Sequence, residues 1–205
     1  YLGVDIFFVI SGYLITTLIC RDIREQRFSF SQFYVRRILR LFPAAFVVLF
    51  LSSLGAFFLM TPGEKQDFGL QLIGAVTFTS NITHWLQSGY FEDAAELLPL
   101  LHTWSLSIEE QYYLVIPCLL FFIHSASTRL IFFTVATLIS LGMFFVFSPD
   151  MPGATFYLTP FRAWELGIGS SLALWRQGKP SIDAPVLCTT AMIVMIGVLV
   201  NPIES

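Results

Sequence analysis

Leu41 to Met60 is a run of twenty residues without a charge, and no other feature limits the fold so tightly. A helix of about 20 apolar residues crosses the roughly 30 Å hydrocarbon core of a bilayer. Inside that core every backbone N–H and C=O must be satisfied within the helix itself. Leu130 to Phe147 and Ala184 to Val200 repeat the pattern, and Leu2 to Cys20 does so with interruptions at Asp5 and at Ser11–Gly12. Composition agrees: 56% of the 205 residues are hydrophobic, 12% are charged, and mean hydropathy is +0.74. Soluble domains carry about 25% charged residues. The chain reads as an all-α, polytopic membrane protein.

Charge distribution orients the spans. The loop from Arg21 to Arg40 holds six of the eleven Lys and Arg residues. Phe68 to Leu86 is mostly apolar but carries Gln71, Asn81 and His84, so its crossing is open. If it does not cross, the Arg21–Arg40 loop, Arg129, Arg176 and Lys179 share one side, nine basic residues against two. If it crosses, the count falls to seven against four. The positive-inside rule selects the first arrangement. It predicts about six spans, with Arg21–Arg40 cytoplasmic and residues 68–86 forming one interfacial or re-entrant helix on the outer side. Tyr1 lies directly against an apolar run with no basic n-region, and the expectation is a fragment cut at both ends.

The stretch Leu101–Pro117 places adjacent carboxylates, Glu109 and Glu110, at the mouth of an apolar segment ending at Ile123. The uncharged part is too short to span alone. Either the segment does not cross, or its helix carries both carboxylates into the membrane, where charge marks a functional site by default. The plainer role is also open, because Ser107 and Glu110 match a capping box that would start a helix there. Arg162 and Glu165 raise the same question in Phe161–Trp175, since only ten uncharged residues follow Glu165. Three apart on a helix, they can pair with each other. Ala163, Gly167 and Ser171 form a small-residue stripe that would press this helix against a neighbour.

In the basic loop, Ser29 and Gln32 fit a capping box for a helix starting near Phe30. On it Arg36, Arg37 and Arg40 project from neighbouring positions. Guanidinium groups hold phosphate through paired, charge-assisted hydrogen bonds; alternatively these arginines only fix orientation or bind anionic headgroups. Ser11–Gly12 suits a packing notch. A serine nucleophile there would need a base within hydrogen-bond reach, and no sequence neighbour supplies one. Cys20, Cys118 and Cys188, like His84, His102 and His124, are scattered, so neither a disulfide framework nor a metal site is supported. The sequon at Asn81 carries no weight.

Four runs together resemble the acyltransferase 3 family of bacterial membrane proteins: GVDIFFVISGYLIT at 3–16, FYVRRILRLFP at 33–43, LHTWSLSIEEQYYLVIP at 101–117 and FRAWELGIG at 161–169. The resemblance covers nearly the whole chain but about half of a family domain of roughly ten spans. It implies an O-acyltransferase of the bacterial inner membrane, moving an acyl group, often acetyl, from acyl-CoA to hydroxyls of surface glycans such as lipopolysaccharide. It implies that Arg37 and Arg40, as the R-x-x-R motif with Arg36 beside it, contact the CoA phosphates. Functional roles follow for Ser11, Gly12, Trp104, Ser105, Glu109, Arg162 and Glu165. The family's proposed catalytic histidine belongs to a span upstream of Tyr1, so no residue here matches it; the piece is expected to be inactive alone, and His102 is an interface residue.

The expectation is therefore a partial acyltransferase 3 domain over residues 1–205. Acyl-CoA is its donor substrate, a carbohydrate its acceptor and membrane lipid its surroundings; no bound cofactor, metal or nucleic acid is expected. Glu109 would organise the acceptor side on the outer face, away from the arginines. The rival reading is a transporter or flippase whose intramembrane charges line a substrate path.

Overall fold

The structure, a computed structural model, describes residues 2–88 and 98–177, and every regular element in them is an α-helix. In chain order these are α1 Leu2–Arg24, α2 Phe30–Leu59, α3 Pro62–Val76, α4 Ser80–Ser88, α5 Thr103–Phe122, α6 Ala126–Phe147, α7 Pro152–Tyr157 and α8 Thr159–Trp175. By length and composition α1, α2 and α6 are long and apolar enough to cross a membrane. Of the other three expected spans, α5 and α8 carry the ionisable pairs Glu109/Glu110 and Arg162/Glu165, and Ala184–Val200 lies outside the described residues.

The site is organised by α1, which packs most extensively on α8 and also against α5. Its buried residues Phe8, Ser11, Gly12, Ile15, Thr16 and Ile19 recur every three or four positions, one stripe of a 3.6-residue helix. Phe8, Ile15 and Ile19 join Ile108, Tyr112, Ile116 and Leu120 of α5 and Leu166 of α8 in the main core. Two glycines set how close α1 and α8 come. A Cβ on Gly12 would stand 2.0 Å from the Leu166 carbonyl oxygen, and one on Gly169 would stand 2.0 Å from that of Val9. Each helix presents a notch to the other's backbone. A third close approach, Gly167 against Thr137, brings α6 to the opposite side of α8. α2 differs, for only Phe33 and Ala56 are buried along its length. Its exposed Phe42, Phe46, Phe50, Leu54 and Phe57 form the kind of surface a spanning helix shows to hydrocarbon.

Several sequence expectations change. Ser11–Gly12 does not interrupt α1, because the glycine is held in helix by its contact with α8. Most of the Arg21–Arg40 loop is helical, leaving a turn at 25–29 with Gln26 at φ 54°. α2 does start at Phe30, but the Ser29 side chain makes no capping bond. Residues 68–86 do not form one helix. They fall on α3 and α4, separated at 77–79 where Phe78 takes φ 55° and Thr79 donates its N–H to the Gly74 carbonyl at 2.8 Å. The Ser107–Glu110 box does not form either, because α5 begins a turn earlier, at Thr103. Ser107 instead donates to the Thr103 carbonyl (3.1 Å) and accepts from the Ser80 N–H (3.2 Å). Asn81 of the sequon is buried and accepts a hydrogen bond from Gln111.

Candidate active site

Because α5 starts at Thr103, Glu109 lies inside the helix on its buried side. Burying an isolated carboxylate costs several kcal/mol, so it persists only with partners. Glu109 has two. The Ser11 hydroxyl, reaching across from α1, donates to Oε1, and the Tyr113 hydroxyl, one turn along α5, donates to the same oxygen. The Ser11 and Tyr113 hydroxyls are also within hydrogen-bond reach of each other, so the three groups close a triangle.

A cation packs on the tyrosine of the triangle. The Arg37 guanidinium carbon stands 4.3 Å from the centre of the Tyr113 ring, a cation–π contact. α2 is set for this by Phe33, buried in the core, and by the Tyr34 hydroxyl, which donates to the Leu114 carbonyl at 2.9 Å. The expected separation of Glu109 from the arginines therefore does not hold. α2 passes beside the middle of α5, and Arg37 packs on the ring of the tyrosine whose hydroxyl bonds Glu109. The other two arginines, Arg36 beside the motif and Arg40 within it, diverge. Arg36 turns back to Asp22, a buried carboxylate that also lies 3.6 Å from Arg21 and from Arg27. Arg40 is exposed and forms no ion pair among the described residues.

Arg162 and Glu165 pair as their spacing predicts, at 2.6 Å. The pair is larger than the spacing shows, because Arg162 also reaches Asp5 of α1 at 3.1 Å and donates to the Phe156 carbonyl at 3.2 Å. Its guanidinium lies against the Phe156 ring, 5.0 Å from the centre. Glu165 is fully buried, and its second oxygen, Oε2, has no hydrogen-bond partner. Next to the Ser11 triangle, at Gly12 and Thr16 of α1, stands a ladder of hydroxyls. The Tyr112 and Thr16 hydroxyls bond Ser170 Oγ at 2.8 and 2.7 Å, and Ser170 donates to the Gly12 carbonyl at 3.2 Å.

Trp104 and Ser105 do not join the triangle. Trp104 is packed in an aromatic cluster with Phe8, Phe156 and Tyr157, and Ser105 donates to the His102 carbonyl. His102 is the N-cap residue of α5 and is exposed. His84, on α4, is buried beside the Leu100 carbonyl, and burial holds its imidazole below the ordinary histidine range. Among the described residues no three His, Cys, Asp or Glu side chains gather as metal ligands. Tyr113, Tyr112, Ser170 and Asp5 are the members sequence reasoning left unassigned. Tyr113 had a signal, since it stands four residues after Glu109 on the same helical face.

A family model described as an acyltransferase domain matches residues 1–201. An uncharacterised protein of Haemophilus influenzae is 37% identical over 187 residues, covering 84% of this chain and 74% of that protein. O-acetyltransferase OatA of Staphylococcus aureus is 37% identical over 186 residues, covering 85% of this chain and 30% of that protein. No solved structure matches the chain.

Proposed function

The chain belongs to the acyltransferase 3 family of membrane acyltransferases, and from that premise we propose that it serves O-acetyl transfer from acetyl-CoA to a hydroxyl of a cell-surface carbohydrate. The observation that carries the reading is the meeting of Arg37 with the Ser11–Glu109–Tyr113 triangle. It places a fixed cation beside a carboxylate able to move a hydroxyl proton, the two requirements for a polyanionic donor and an alcohol acceptor. The name of the staphylococcal relative supports O-acetyl transfer.

In this mechanism the donor enters from the cytoplasm and its phosphates are held by Arg37 and exposed Arg40. Arg36, engaged by Asp22, shapes the turn between α1 and α2 and adds positive charge at its mouth. Glu109 acts on the hydroxyl that attacks the thioester. Arg162, Glu165 and Asp5 hold α1 and α8 together and line the acceptor side, with Trp104 as the aromatic wall behind them. The buried charges suited a transporter equally well; family membership favours group transfer.

The test supplies labelled acetyl-CoA to membranes carrying the full-length protein and follows label into glycan. Label should accumulate with the wild type, and Arg40→Ala should lower it at least about 10-fold by weakening donor binding, the loss of one charge-assisted contact. Transfer that survives both Arg37→Ala and Arg40→Ala undiminished would refute the donor assignment.

A further inference from the structure

We propose that Ser11 is a covalent acyl carrier, accepting the acyl group from the thioester and passing it to the acceptor hydroxyl, with Glu109 as the base in both steps. The inference rests on the acyl-transfer reading above and adds an intermediate to it.

A serine becomes a nucleophile when an adjacent base takes its proton. The structure supplies that base from 98 residues away, since the Ser11 hydroxyl donates to Glu109 Oε1. Ser11 does not aim this bond by chance. Next to it, Gly12 sits against the Leu166 backbone and fixes the height and rotation of α1, and Ser170 bonds the Gly12 carbonyl from the same side. Tyr113 completes the group: its hydroxyl reaches both Ser11 and Glu109 and holds the carboxylate toward the serine. Arg37 packs on the Tyr113 ring.

Position along α1 supplies the second argument. Ser11 comes nine residues after Leu2 and thirteen before Arg24, about 14 and 20 Å at 1.5 Å per residue. It is near neither end of the helix. A donor held by arginines on one side and a glycan on the other cannot both reach a group at either mouth. A residue at mid-depth stands at a comparable distance from each mouth. Ser11 also suits the second transfer: its ester, like the product, joins an acyl group to an aliphatic oxygen, so that step is close to balanced.

The steps balance without a further reactant. Ser11 Oγ attacks the thioester carbonyl carbon, the C–Oγ bond forms and the C–S bond breaks, and the Ser11 proton passes through Glu109 to the departing sulfur. CoA leaves as the thiol. The acceptor hydroxyl then attacks the seryl ester carbonyl and gives its proton to Glu109. The new C–O bond forms, the C–Oγ bond breaks, and Glu109 returns the proton to Ser11.

The experiment incubates full-length protein in membranes with labelled acetyl-CoA, quenches in acid, digests, and locates label by mass spectrometry. One acetyl group on Ser11, chased off when acceptor glycan is added, is the expected result. Ser11→Ala should lose the label and at least about 100-fold in glycan transfer, the scale of a removed nucleophile or base. Ser11→Cys should instead retain acetyl as a thioester released by hydroxylamine, which a purely structural serine would not do. Glu109→Gln should slow both label uptake and its chase. Wild-type protein that acetylates glycan with no label on Ser11, with label on Tyr113, or with Ser11→Ala unimpaired would overturn the proposal while leaving the acyltransferase reading intact. A wild type that transfers nothing would overturn both.

Discussion

Ser11 and Glu109 are ordinary residues whose meaning comes from each other. They stand 98 residues apart, and the contact that joins them spans two helices. Gly12 is where that contact is most exposed to a small change. Gly12→Ala would drive a methyl group into the Leu166 carbonyl, and overpacking of this kind costs about 1–3 kcal/mol. Thermal unfolding of the variant in detergent should fall accordingly, and unchanged stability would mean that α1 and α8 lie further apart. Arg162 predicts a larger loss. Arg162→Leu would strand Asp5 and buried Glu165 without a cation, and breaking a buried pair by removing one partner costs about 3–5 kcal/mol. Adding Asp5→Asn to it should recover part of that loss, which a double-mutant cycle would read as coupling.

At the scale of elements, long periodic or uncharged runs were legible. α2 and α6 fall where Leu41–Met60 and Leu130–Phe147 require, and the Arg162–Glu165 pair follows from spacing three on a helix. What the sequence hid were the joints. The spacing S-x-x-E at Ser107 matches a helix start, but α5 already runs through it because Thr103 and Ser107 find partners on α4. A motif records local capacity, and packing decides whether it is used. The box that does form, Thr61 with Glu64, opens α3. There the Glu64 carboxylate accepts both the Thr61 hydroxyl and its N–H, and those bonds hold its acid below the ordinary carboxylate value of 4.5. A depressed folded value means stability present above 4.5 and lost as pH falls through the folded value. Protection of the first α3 amides from exchange should thus decline on acidification relative to Glu64→Gln, which lacks the titration. Parallel profiles for the two proteins would dismiss the cap.

For the molecule as a whole, membrane residence and helical class were plain from composition, whereas the site depended on contacts between residues far apart in the chain. The clearest case is depth. Counting charges by side separated Glu109 from the arginines, yet α2 brings Arg37 to the Tyr113 ring beside Glu109. A loop charge count cannot place an arginine that its helix carries to a neighbouring helix. Arg37→Lys tests the meeting directly. Lysine keeps the charge but loses the planar group that stacks on the ring, so acetyl-CoA binding should survive in part while transfer drops further than binding does. Equal losses in both would leave Arg37 as a simple anchor.

The paired notches at Gly12 and Gly169 carry one more consequence. Helices seated backbone to backbone within one turn, Gly12 on Leu166 and Gly169 on Val9, resist sliding, because that motion lifts a glycine out of its seat. Ser11 is adjacent to one seat, and Arg162 lies on the helix that carries the other. The interval between Ser11 and Arg162 is thus set by the glycine contact, and a larger residue at either glycine would change it.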